Sequence, residues 1–112
     1  TPMRSSAASD VYKRQGLSVA FSQEYELQIR PRSGLAAKNN ISVLNTPGTI
    51  DSDFRGEIKV IIYNHGHNDF HINSGDRIAQ MILTPVMKIE FEETEDLPDT
   101  KRGEGGFGST GK

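Results

Sequence analysis

Apolar and polar residues alternate with a period of two through much of this chain. From Glu24 to Arg30, the residues Tyr25, Leu27 and Ile29 fall on one face. That spacing predicts a half-buried strand, because successive strand side chains point to opposite faces. Leu17, Val19 and Phe21 alternate with Gly16, Ser18 and Ala20 and predict another. Pro31 ends the first run, since proline lacks a ladder donor. Ser33 to Asn40 is the one stretch with the character of a helical turn, and Ile41 to Leu44 reads as a short strand. Thr46-Pro47-Gly48-Thr49 has turn chemistry. Ile58 to Tyr63 is β-branched and apolar on both faces, which predicts a central strand. Asn64 to Asp69 is a polar turn, and Phe70 to Ile72 starts the return. Asn73 to Asp76 turns again. Arg77 to Leu83 and Val86 to Phe91 predict two further strands split by Pro85.

Short strands with Gly and Pro punctuation and no amphipathic helix predict an all-β sandwich or barrel. Thr1 to Gln15 is small, polar and basic without a hydrophobic period, so it is expected to be disordered. Residues 16–92 form the expected β-domain. Residues 93–112 read as an acidic linker and a mobile Gly-rich tail.

Composition narrows the picture. At 112 residues the chain is a single small domain, and chains of this size often lean on partners. Its apolar share of 34% is low, which suits flexible ends or a subunit that completes its core in an oligomer. A formal charge of -2 offers no basic face for duplex nucleic acid. Cysteine is absent, which excludes a disulfide framework, a thiolate zinc site and a thiol nucleophile. No apolar run reaches the length of a membrane span, and no signal-peptide core follows the N-terminus. A cytoplasmic protein without nucleic-acid or membrane partners is expected.

Several clusters carry candidate chemistry. Thr49-Ile50-Asp51-Ser52-Asp53-Phe54-Arg55-Gly56 sets two carboxylates, an aromatic and an arginine beside a turn. A loop carboxylate held by a sheet suits general-base work on water. On composition alone, a solvated turn with Arg55 paired to an aspartate is favoured. Arg30-Pro31-Arg32-Ser33-Gly34 makes an anion-binding corner or an ordinary strand exit. Gly106 to Lys112 has the spacing of a Walker A loop, but that motif needs a preceding strand and a following helix. A strip with Phe107, Ser109 and Thr110 suits closure over a nucleotide, or is a plain Gly-rich terminus. His65, His67, Asp69 and His71 are metal-ligand types, but their spacing falls in a tight turn, so a surface hairpin is expected rather than a metal site. Gln80 is polar on a face otherwise formed by Ile78 and Ile82, and a buried amide needs partners.

The order of these clusters is more specific than any one of them. Pro-Arg-Ser-Gly-Leu-Ala at 31–36, Gly-Thr-Ile-Asp-Ser-Asp-Phe-Arg-Gly-Glu at 48–57, Gly-Asp-Arg-Ile-Ala-Gln-Met-Ile at 75–82 and Arg-Gly-Glu-Gly-Gly-Phe-Gly-Ser-Thr-Gly at 102–111 resemble motifs two to five of the trimeric dUTP pyrophosphatases. The resemblance implies a jelly-roll-like β-barrel and hydrolysis of dUTP to dUMP and pyrophosphate. That reaction limits uracil incorporation into DNA and supplies dUMP for thymidylate synthesis. It implies that Asp51 is the catalytic base. Asn45, Thr49, Ile50 and Lys59 would read the uracil edge, and Phe54 would pack under the deoxyribose. Arg32, Ser33, Gly34 and Gln80 would bind the phosphates. Arg102, Phe107, Gly108, Ser109 and Thr110 would close the site from a neighbouring subunit. It further implies a homotrimer with shared sites, and Mg2+ held mainly through the triphosphate and water rather than by protein ligands. Two departures stand out. Phe54 occupies a position where the family usually has tyrosine. Motif one is absent, and Ser5 to Gln15 resembles translated adaptor read-through, so residues 1–15 are expected to be foreign and the natural N-terminal strands lost.

Overall fold

The computed structural model describes residues 2, 3, 12–108 and 111. Eight short strands and one short helix follow in the order β1 (Pro2–Met3), β2 (Tyr12–Arg14), β3 (Tyr25–Arg30), α1 (Ser33–Asn39), β4 (Ile41–Val43), β5 (Gly48–Ile50), β6 (Lys59–Asn64), β7 (Phe70–His71) and β8 (Gln80–Pro85). The fold is all-β and jelly-roll-like. Two three-stranded sheets, ordered β2-β6-β4 and β5-β3-β8, carry the domain, and β1 pairs with β7. All pairings are antiparallel.

Both central strands are the ones the residue pattern predicts. In β6, Val60 and Ile62 are buried while Ile61 and Tyr63 are half-buried. In β3, Leu27 and Ile29 face the core, but Tyr25 at the strand start is exposed. The core is one cluster drawn from both sheets and their loops: Ile29, Ile41, Val43, Ile50, Ile58, Val60, Ile62 and Ile78. Every member is β-branched. Such side chains have few rotamers to lose and pack well on a pleated surface.

Helix α1 buries no residue fully, though Leu35 packs against the core. It ends because Asn40 turns left-handed at φ 57°, sending its N–H to the carbonyls of Ala36 and Leu35. Asparagine tolerates that conformation better than most residues.

Three expectations are corrected. Leu17 to Phe21 does not join a ladder. Gly16, at φ 70°, interrupts pairing after β2, as glycine does in a bulge. The exchange continues only as far as Ile58, whose carbonyl accepts from Gln15 N and whose N–H donates to Leu17 O. Val86 to Phe91 is not a strand either. Its one backbone bond runs from Val86 N to Glu24 O, and β3 begins only at Tyr25, after a turn closed by Tyr25 N to Ser22 O. Among the described residues no strand pairs with it. Finally, disorder does not describe the whole of Thr1 to Gln15. Tyr12–Arg14 pairs with Ile61–Lys59 on the free edge of β6, and Pro2–Met3 pairs with His71–Phe70. An open edge offers unpaired backbone groups to any extended segment within reach. Residues 1 and 4–11 lie outside the described residues.

The radius of gyration is 19.1 Å, against about 13 Å for a compact chain of this length. The exposed stretch after Pro85 contributes to that excess.

Candidate active site

The loop between β5 and β6 builds the main cleft. Asn45 lies over Gly48, where a Cβ would stand 3.2 Å from the Asn45 amide nitrogen and 3.4 Å from Ile29 Cβ. The absence of that Cβ lets β5 close onto β3, with Gly48 opposite Ile29. Asp51 follows directly. Its carbonyl accepts from Phe54 N at 3.1 Å, which tightens the loop. The Arg55 guanidinium bonds the carbonyls of Ser52 at 2.7 Å and Phe54 at 3.3 Å. It therefore braces the loop backbone and does not pair with an aspartate. Asp51 is exposed and has no ion-pair partner among the described residues.

A cleft of about 540 Å³ opens here, lined by Thr49, Ile50, Asp51, Phe54, Lys59 and Ile61. Five sequence-predicted residues thus meet at one place. Tyr12 and Arg14, from the N-terminal segment, also line it and were not expected there, and so does Glu57 at the end of the 48–57 motif. Arg14 forks onto Glu57 with three contacts of 2.8–3.1 Å, and Gly16 N adds a weaker one at 3.4 Å. The Arg14 hydrogen bonds are the main reason the Glu57 carboxyl lies below its ordinary range. Desolvation opposes that shift, while the Gly16 amide and the charges of Arg14 and Lys59 assist it. The same bond to Glu57 raises the Arg14 guanidinium further.

The phosphate candidates lie elsewhere. Arg32 and Gln80 line a second recess of about 380 Å³ together with Asp76 and Arg77, floored by Ile29, Ile58 and Val60. Gln80 donates to the Pro31 carbonyl at 3.0 Å, which joins the start of β8 to the end of β3. Gln80 is exposed, not buried as its place in the alternation suggested. Ser33 and Gly34 begin α1 and are exposed. Asp76 is used locally, accepting from Asn73 N at 2.8 Å. Ile58 is the one residue that lines both recesses. Between them lies a third recess of about 570 Å³, which shares Tyr12 and Arg14 with the Asp51 cleft and Gln15 and Asp76 with the Arg32–Gln80 recess.

Asn45 borders neither recess, and neither do Arg102, Phe107 or Gly108. Arg102 Nε donates to Gly105 O at 2.6 Å, and Phe107 is fully exposed. Ser109 and Thr110 lie outside the described residues. The histidine cluster forms a hairpin corner. His65 Nε2 lies 2.6 Å from Ser42 Oγ, and its ring packs on Tyr63 at 4.5 Å. Buried Asn64 accepts from Gly66 N and donates to Asn68 O.

An all-β jelly-roll-like domain with an acidic loop cleft is the class these features define. The dUTPase family model matches residues 6–111, so the chain belongs to the dUTPase family. It is 61% identical over 99 residues to the deoxyuridine 5'-triphosphate nucleotidohydrolase of Nautilia profundicola, covering 87% of this chain and 70% of that protein. It is 54% identical over 97 residues to that of Clostridium tetani, covering 87% and 67%. A mutant dUTPase of Staphylococcus bacteriophage 80alpha, solved with dUpNHpp, shares the fold at a TM-score of 0.74 and 19% identity, covering 99% of this chain and 80% of its own. A mutant phage phi11 dUTPase, described with a structural Mg(II) ion, matches at 0.59 and 18% identity over 73% and 69%.

Proposed function

We propose that this chain hydrolyses dUTP to dUMP and pyrophosphate, limiting uracil incorporation into DNA and supplying dUMP for thymidylate synthesis. The observation that carries the reading is the meeting of Asp51, Phe54, Thr49, Ile50 and Lys59 around one cleft. Asp51 takes a proton from water as that water attacks the α-phosphorus. The bond from that phosphorus to the bridging oxygen of pyrophosphate breaks, and the proton stays on the Asp51 carboxyl. Asp51 is exposed and has no ion-pair partner among the described residues, which leaves its side chain open to water. Phe54 packs under the deoxyribose and leaves no room for a ribose hydroxyl. Asn45 and backbone groups of Thr49, Ile50 and Lys59 read the uracil edge.

Arg32, Ser33, Gly34 and Gln80 bind the phosphate chain. Asp51 and the Arg32–Gln80 pair line different recesses of one chain, which suits a homotrimer with sites shared between copies. Arg102, Phe107, Gly108, Ser109 and Thr110 then come from a neighbouring tail. The exposed, unpaired stretch after Pro85 supports that arrangement. Magnesium supplies neutralisation of charge on the triphosphate when bound. The ion would be held mainly through the triphosphate oxygens and water, the binding suited to a hard cation that keeps part of its hydration shell. Among the described residues no helix is long and apolar enough to cross a membrane, and work on a free nucleotide suits the cytoplasm.

Pyrophosphate release from dUTP with magnesium tests the reading. Asp51→Asn is expected to lower kcat about a hundredfold or more while dUTP binding persists. Unchanged turnover would remove Asp51 as the base. Binding of dUTP by the unaltered chain without turnover would replace the enzyme with a nucleotide-binding module.

A further inference from the structure

We propose that Gly56 is a positioning residue for substrate selectivity, because it is the seat on which the Phe54 ring rests. This inference builds on the sugar-packing role given to Phe54 above. A Cβ on Gly56 would stand 2.6 Å from Phe54 Cζ, 3.0 Å from Cε1 and 3.3 Å from Cε2. The ring tip therefore occupies the space that any other residue at position 56 would fill. Gly56 is not among the residues with left-handed backbone. Glycine is required here by the ring and not by φ.

The backbone around the seat is tied down. The Gly56 carbonyl accepts from Ser18 Oγ at 3.0 Å, and Ile58 N donates to Leu17 O at 2.9 Å. Between them, Glu57 is held by the Arg14 fork. With the loop backbone tied on both sides of position 56, a side chain added there displaces the ring tip and not the loop. Phe54 is 45% exposed and is not part of the core cluster. Phe54 and Gly56 line the same cleft. A displaced ring moves into or away from the space assigned to the sugar, and either shift alters how deoxyribose and ribose are told apart.

The test compares Gly56→Ala, Phe54→Leu and the double variant, with kcat and KM measured for dUTP and UTP. Gly56→Ala is expected to raise KM for dUTP about tenfold and to narrow the dUTP preference, with kcat within about twofold. Leucine has no Cζ or Cε atoms. On the Phe54→Leu background, adding Gly56→Ala should therefore change nothing further. A penalty that persists there, or a Gly56→Ala enzyme with unaltered KM and preference, overturns the inference. Thermal unfolding of Gly56→Ala is expected to match the parent, since the position is exposed. Proton spectra read the seat without turnover. The Gly56 α-protons should be ring-shifted and should lose that shift in Phe54→Leu. Absence of the shift rejects the seat whatever the activity. A ring-shifted but inactive chain would keep the seat and reject the dUTP-hydrolysis reading.

Discussion

Two regions of this molecule are about equally rich in large apolar residues and use them in opposite ways. Between Ile29 and Ile78, isoleucine and valine from two sheets close on one another, and Ile62 is 0% exposed. After Pro85, Met87, Ile89, Phe91 and Leu97 are all exposed, Phe91 at 95%. The first region satisfies itself within the chain. The second leaves its large apolar side chains exposed, with no covering partner among the described residues. Contiguous apolar exposure on this scale marks an interaction surface more often than an ordinary one. The contrast separates what a single copy can do from what an assembly must do.

Core truncation should give the largest effect on that contrast. Ile62→Ala is expected to destabilise folding by about 2–5 kcal/mol, read by urea unfolding. Phe91→Ala should leave unfolding at low protein concentration nearly unchanged but weaken association in sedimentation. If the two variants behave alike, the division between regions fails. Next comes the tail. Deleting residues 103–112 should cut dUTP turnover about tenfold or more while the unfolding midpoint stays put. Full activity in the shortened chain would remove the tail from the site. The smallest effect belongs to the Arg14–Glu57 fork. The Glu57 carboxyl is lowered by its bond to Arg14, so the pair stabilises above the ordinary carboxylate range. That contribution is lost as pH falls through the lowered value. Glu57→Gln should therefore melt slightly below the parent at neutral pH and converge with it in acid. Added salt should shrink the gap, because the pair is solvent-exposed.

The pattern of residues predicted β3 and β6 well, because their alternation or double-sided apolarity lasts six residues. It missed β5, whose Gly48 looks like turn chemistry but is there to let a neighbouring strand approach. Tyr12–Arg14 spans three residues, too few to show a period. Val86 to Phe91 has strand-like composition, yet a strand also needs a partner, and pairing is not a property of one segment. The same limit applies to the site. Asp51, Phe54 and Lys59 are close in sequence and meet in space. Arg14 and Glu57 stand 43 residues apart, and no local signal joins them. Nor does motif order reveal that Arg32 and Gln80 open onto a different recess from Asp51.

Ile58 lines both of those recesses, and it is 2% exposed. A β-branched side chain held that tightly is a stiff shared surface. At Ile58, deepening either recess toward the core presses on a side chain that the other recess also uses. A small molecule that gains purchase by pressing on Ile58 from the Asp51 side would deform the Arg32 side as well. For inhibitor chemistry, useful growth runs outward along the cleft rim, not inward.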